Sequence, residues 1–220
     1  MQKFGTCLTS CLTFASEELN ECMLRVLVYL GRTRNLGTTY SDGGVWRGES
    51  ARDLTCFADS NWDTKRSITG FVITLGGAAI AHASRRQHCI SMSSCEAELI
   101  ALADCAIELL YIRALLEFIG YTSEKAIKVW TDNKGAYDLC HRYTSASNSR
   151  HIDRKVYKMR ELRGAGEVDV GLIPTERNPA DLFTKILSRQ PFEKHRKTVL
   201  NLVAAGPDDS EPETSAHAGG

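Results

Sequence analysis

The chain has no excess of charge of either sign: 27 Lys and Arg stand against 27 Asp and Glu, for a formal net charge of zero. That excludes binding to nucleic acid through bulk positive charge and leaves only local basic patches for such a role. No stretch offers the ~18 uncharged apolar residues of a membrane-spanning helix. The apolar run within Met1–Ala15 is short and broken by Thr and Ser, so it lacks the core of a signal peptide and the protein is expected not to be secreted. No internal repeat is present. Cys7, Cys11 and Cys22 have no matching Cys/His pair at usable spacing, which argues against zinc. Of the eight cysteines, Cys56, Cys105 and Cys140 fall in segments that read as core, where a thiol acts as a small hydrophobe. Reduced thiols in an intracellular protein are therefore expected.

What remains is a chain of 220 residues, 43% hydrophobic and 25% charged, enough for one ordinary domain with extensions. Residues 17–31 carry apolar side chains at helical spacing (Leu19, Met23, Val26, Leu27, Leu30) and stop at Gly31. Residues 32–53 are polar and Gly-rich and read as a linker, with a short strand at Gly37–Tyr40. Strand signals follow at Leu54–Ser60, Ile68–Leu75 and Ala78–Ala83, the last two joined by Gly76-Gly77, a hairpin turn. Ser93-Ser94-Cys95-Glu96 is a capping box, with Glu96 reaching back to Ser93. A helix runs on to about Ile119, with Leu99, Leu102, Ala106, Leu109, Leu110, Leu116 and Ile119 on one stripe. A strand at Ala126–Thr131, helices from Asn133 to His141 and over Arg150–Arg163, and a strand at Val168–Ile173 come next. Asn178-Pro179-Ala180-Asp181 opens a helix, and Pro191–Val203 forms a last one. This order predicts an α/β fold: a mixed five-stranded sheet, three antiparallel strands then parallel strands, flanked by helices.

Four carboxylates occupy similar places in that scheme. Asp59 and Asp132 each end an apolar strand, and in parallel neighbours these ends lie side by side. Glu98 lies in the first turns of the long helix, and Asp181 in the first turn of another. Singly, each has an ordinary explanation as a turn-former, surface ion-pair partner or helix-dipole partner. Together, converging carboxylates repel, and hard divalent cations such as Mg²⁺ or Mn²⁺ relieve that repulsion.

The runs FADSNWDTKRSITGFVITLGGAAIAHASRRQ, SMSSCEAELIALADCAIELLYIRALLEFIG, VWTDNKGAYDL, SRHIDRKVYKMREL and IPTERNPADLFTK occur in this order over about residues 54–203. They resemble the RNase H region of copia-type LTR retrotransposon Pol polyproteins. The resemblance implies an RNase H-like domain over 54–188 and a C-terminal helix over 189–205. Residues 17–53 look like the connector that follows the reverse-transcriptase part, which is missing. Residues 1–16 and 206–220 are left as an irregular segment and a disordered tail. Carried over residue by residue, the catalytic and metal-binding acids are Asp59, Glu98, Asp132 and Asp181. Asn61 stands where the family often has a second acid, Cys95 where Thr is usual, and no catalytic-loop His is found near Gly171–Asn178.

Such a site implies hydrolysis of the RNA strand of an RNA–DNA hybrid with two Mg²⁺ ions, Mn²⁺ substituting. Candidate substrate contacts are Arg85, Arg86 and Gln87 after the third strand, Ser93 and Ser94, Asn133, Lys185, and a basic group of Arg150, His151, Arg154 and Lys155. The implied partners are the hybrid and a reverse-transcriptase domain in a longer polyprotein, with no membrane, in a cytoplasmic retroelement particle or the nucleus. The alternatives are a module that binds without cutting and a decayed element remnant.

Overall fold

A computed structural model describes residues 16–40, 45–46, 49–50, 53–63, 65–121, 125–141 and 150–202, with the backbone alone for 45–46, 49–50 and 150–153. The expected irregular N-terminus up to residue 15, the polar loop 142–149 and the tail from 203 lie outside the described residues. Five strands form one sheet: β1 (Thr55–Asn61), β2 (Ile68–Leu75), β3 (Ala78–Arg86), β4 (Ile127–Thr131) and β5 (Val168–Leu172). Their spatial order is β3–β2–β1–β4–β5. β1, β2 and β3 pair antiparallel, and β4 and β5 continue parallel from β1. The expected mixed sheet is thus observed. Connection length decides it, because a two-residue turn can only reverse the chain, whereas a helical crossover returns it parallel.

The turn is Gly76-Gly77, with φ of 64° and 79°. Both central residues lie in the left-handed region that matches the twist of a hairpin. A Cβ on Gly77 would also stand 2.8 Å from Nδ2 of Asn201. Gly77→Ala is therefore expected to destabilise the fold by about 1–3 kcal/mol, read as a lower urea midpoint; an unchanged midpoint would contradict this account of the turn.

Among the described residues six α-helices accompany the sheet: α1 (Glu17–Arg32), α2 (Ser94–Phe118), α3 (Lys134–His141), α4 (Arg150–Gly164), α5 (Asp181–Thr184) and α6 (Arg189–Leu200). β1 is buried along both faces, which is why its apolar run does not alternate. On one face, Cys56, Ala58, Phe71 and Ile73 pack with Leu99, Leu102 and Leu109 of α2, Cys140 of α3, and Val156 and Met159 of α4. On the other, Phe57 and Val72 pack with Ile173, Leu182 and Phe183. Cys56, Cys105 and Cys140 are buried and in no disulfide, and burial pushes the Cys140 thiol up to about 12.

Several expectations need correction. No strand forms at Gly37–Tyr40; Thr39 N–H donates to Leu200 O (3.0 Å) and Tyr40 Oη to Ala79 O (2.9 Å), single bonds rather than a ladder. A two-residue ribbon, Val45–Trp46 with Glu49–Ser50, lies further on. β3 runs on to Arg86 instead of ending at Ala83, because β2 offers a partner as far as Ile68. The 25 residues of α2 span about 37 Å. The helix outruns the sheet, so Ile119, expected on the buried stripe, is 73% exposed. α1 forms, but Met23, Leu27 and Leu30 are exposed. It leans on α6 through Tyr29, whose ring lies 5.8 Å from Phe192 and whose hydroxyl accepts from Arg196 (3.1 Å). Among the described residues no helix is long and apolar enough to cross a membrane.

Candidate metal centre

Parallel pairing of β1 and β4 brings their C-terminal ends to one edge of the sheet. Asp59 lies on β1, and Asp132 directly follows β4. The start of α2 is fixed at the same edge. Ser93 Oγ accepts from Glu96 N–H (3.2 Å), and the Glu96 carboxylate accepts from Met92 N–H (2.7 Å), one residue before its expected partner. One residue beyond the first turn, Glu98 meets the end of β1: Ser60 N–H and Ser60 Oγ both donate to its Oε1, each at 3.0 Å. Asp59, Glu98 and Asp132 offer oxygen atoms within 4.8 Å of one another.

Asp59 is 1% exposed. Burial, with Asp181 and Asp132 adding to it against Lys185 and Thr184, pushes its carboxyl up to about 7. Burial, then the charges of Asp59 and Asp132, push Glu98 up to about 9. Oε2 of Glu98 is buried without a hydrogen-bond partner. An acid with an unpartnered buried oxygen beside two more carboxylates is costly in the absence of a cation. The donor set is all oxygen, so these residues fit a hard divalent ion rather than zinc.

The fourth acid arrives by a different route. In register, Asp59 faces Gly70 on β2, and Gly70 faces Ser84 on β3. The short helix α5 lies across this row. Thr184 Oγ1 donates to Asp59, Ser84 Oγ donates to Phe183 O (2.6 Å), and a Cβ on Gly70 would stand 2.4 Å from Thr184 Cγ2. The approach to α5 is held by Asn178, fully buried, whose Nδ2 donates to Ala58 O (3.0 Å). Asp181 thereby reaches Asp59, and the two share Lys185, whose Nζ lies 2.7 Å from Asp181 and 3.2 Å from Asp59. Burial raises the Asp181 carboxyl as well. Burial opposes the charge on Lys185, but Asp59, Asp181 and Asp132 hold its ammonium above the ordinary lysine range. Asp181 is not one of the three acids within 4.8 Å.

No protein-family model matches the chain. The retrovirus-related Pol polyprotein from transposon TNT 1-94 of Nicotiana tabacum is 32% identical over 137 residues, 62% of this chain and 10% of its own length. That from transposon RE1 of Arabidopsis thaliana is 29% identical over 182 residues, 81% of this chain and 12% of its own. Retrovirus-related Pol polyproteins of plant transposons are thus among the chain's homologues. It spans about a tenth of the length of these Pol relatives. Among solved structures, the N-terminal RNase H domain of a Mycobacterium tuberculosis protein is similar at a TM-score of 0.47 and 11% identity, over 66% of this chain and 97% of that one. LC11-RNase H1, solved in complex with an RNA/DNA hybrid, is similar at a TM-score of 0.43 and 15% identity, over 57% and 88%.

The candidate contacts inferred from the likeness to Pol fall into two groups. Arg85 and Arg86 are exposed at the end of β3, not after it, in register with Thr69 and Ile68 and so at the edge that carries Asp59. The Arg85 guanidinium lies 5.5 Å over the Phe71 ring. Ser93 and Ser94 are exposed at the start of α2, with Ser93 Oγ engaged as its cap. Asn133 is half-buried and caps α3, its Oδ1 accepting from Ala136 N–H (2.9 Å). Gln87 is buried, and both amide N–H bonds are used, toward Thr69 Oγ1 and Ala97 O. Its amide ties β2 to α2 instead of facing outward as expected. Lys155 pairs with Asp104 of α2 (2.9 Å). Arg154 is exposed, while Arg150 and His151 lie in the first turn of α4 with side chains outside the described residues.

Sequence reasoning missed Ser60, Thr184, Asn178 and Gly70, which orient or admit the acids. Thr184 and Asn178 lie inside the run that ends in TERNPADLFTK, so their signal was present as spacing around Asp181. Gly70 gave none, since a glycine in a strand does not say what approaches it.

Proposed function

We propose that this chain is a divalent-metal-dependent ribonuclease of the RNase H type, hydrolysing the RNA strand of RNA–DNA hybrids as one part of a Pol-like polyprotein. The observation that carries the proposal is the convergence of Asp59, Glu98 and Asp132, with an unpartnered Oε2 on Glu98, at the edge of a five-stranded mixed sheet. In this reading Asp59, Glu98 and Asp132 hold one ion, and Asp181 joins Asp59 in holding a second. When bound, a pair of divalent ions supplies an activated water and stabilisation of the leaving oxygen of a phosphodiester. Ser60 and Thr184 orient Glu98 and Asp59 from behind. Arg85 and Arg86 face the backbone of the substrate, which is read through groove shape and 2′-hydroxyl groups rather than base edges. The ion proposed is Mg²⁺, with Mn²⁺ as a working substitute.

The test is a cleavage assay on a labelled hybrid. Cleavage of the RNA strand is expected in Mg²⁺ and Mn²⁺ and lost in excess chelator. Cleavage that persists in chelator sinks the metal-dependent reading. Binding of the hybrid with no cleavage in either ion supports the non-cutting module instead.

A further inference from the structure

Lys185 is absorbed into the acid site in a way that a substrate contact does not require. Its Nζ lies 2.7 Å from Asp181 and 3.2 Å from Asp59. Both acids are almost wholly buried, whereas Lys185 is one-third exposed. Its backbone, at the C-cap of α5, is already extended (φ −120°, ψ 150°), so the side chain can leave without unwinding the helix. The three acids within 4.8 Å of one another are Asp59, Glu98 and Asp132; Asp181 lies outside that set, reaches Asp59 and shares the Lys185 ammonium with it.

Given the metal-dependent reading above, we propose that Lys185 is a tethered counter-cation that fills the second ion's position between Asp59 and Asp181, so that the site loads its two ions unequally. The first ion enters on Asp59, Glu98 and Asp132 with Lys185 in place. The second enters only as Lys185 swings out.

Charge explains why the two events are linked. With all four acids ionised, Asp59, Glu98, Asp132 and Asp181 against one ammonium leave three negative charges. One divalent ion reduces this to one. A second ion with Lys185 still inside would reverse the sign in a buried site, where like charges are poorly screened. With Lys185 displaced, two divalent ions balance the four acids. The exchange is favoured by the flexible four-carbon stem of lysine, which returns a strongly hydrated ammonium to water.

The experiment is calorimetric titration of Mn²⁺ into the whole chain, comparing the wild type with Lys185→Met and Lys185→Arg, without substrate. The wild type is expected to bind one ion at least tenfold more tightly than a second. In Lys185→Met the second binding should strengthen by tenfold or more, and Lys185→Arg should keep the unequal pattern. Lys185→Gln, which retains a donor toward Asp181, gives the same comparison if the Met variant does not fold in the absence of ions. Equal two-ion titrations in the wild type and the uncharged variants overturn the role of Lys185 and leave the metal site standing. Absence of Mn²⁺ binding in every form overturns both.

Discussion

Asp59→Asn is expected to remove hybrid cleavage by about a thousandfold or more and, in the absence of metal, to make the protein more stable. The loss follows from the position of Asp59 between the two proposed ion positions, where an amide cannot supply the negative charge. Several kcal/mol of charge stabilisation disappear, and each 1.36 kcal/mol is about tenfold in rate. The gain follows from burial. Asp59 is pushed up to about 7 from an ordinary 3.8, and Glu98 to about 9 from 4.5. The folded protein therefore holds protons that the unfolded chain has already released. The stability these groups contribute is complete below the ordinary carboxylate range and is lost as pH rises through about 7 for Asp59 and about 9 for Glu98. Without metal, the wild type should melt at progressively lower temperature from pH 5 to pH 9. At pH 8 the Asn variant, which keeps the shape and loses the buried charge, should melt about 2–4 °C higher. The gap should close toward pH 5, and adding Mg²⁺ should stabilise the wild type more than the variant. Melting curves at the two pH values, with and without Mg²⁺, together with the cleavage assay, check each part. A variant that melts lower at pH 8 and higher at pH 5 reverses the assigned cause.

The two halves of the site were unequally legible in the sequence. An acid at the end of an apolar strand is visible as a break in pattern, and this identified Asp59 and Asp132 as a pair. The sheet topology then follows from the Gly76-Gly77 turn and the helical crossovers. The apolar stripe of α2 foretold which of its faces is buried, but not where the sheet stops beneath it, so Ile119 was assigned to the core. Arg85 and Arg86 are placed after the third strand by the sequence because charge ends its apolar run; an edge strand tolerates such charge. Gln87 looked polar and exposed because composition cannot show that two backbone and side-chain acceptors enclose its amide. Lys185 was legible as a basic residue near an acid, but its place between two buried carboxylates depends on α5 docking over the sheet. That docking is a tertiary event.

Gly70 is the residue on which the docking depends, and Gly70→Val is expected to break the site by displacing α5. A Cβ there would lie 2.4 Å from Thr184 Cγ2, 2.9 Å from Phe183 Cβ and 3.2 Å from the Phe183 carbonyl carbon. Rotation about χ1 turns the Thr184 methyl aside, but the same rotation takes its hydroxyl from Asp59. Phe183 cannot yield without moving the helix, because its carbonyl is held by Ser84 (2.6 Å). α5 must then lift from the sheet, carrying Asp181, Thr184 and Lys185 with it and opening the cluster of Phe57, Val72, Leu182 and Phe183. Overpacking of this kind costs about 1–3 kcal/mol, and a β-branched side chain falls at the upper end or beyond. Gly70→Ala should show the same effects to a smaller degree. The expected result is a lowered urea midpoint for both variants, in the order Gly, Ala, Val. Cleavage should fall further than the stability loss explains when measured well below the unfolding transition, since Asp59, Glu98 and Asp132 remain while the Asp181 side of the site withdraws. If Gly70→Val retains both the wild-type midpoint and wild-type cleavage, α5 does not rest on this row of the sheet, and the route by which Asp181 and Lys185 reach Asp59 has to be drawn differently.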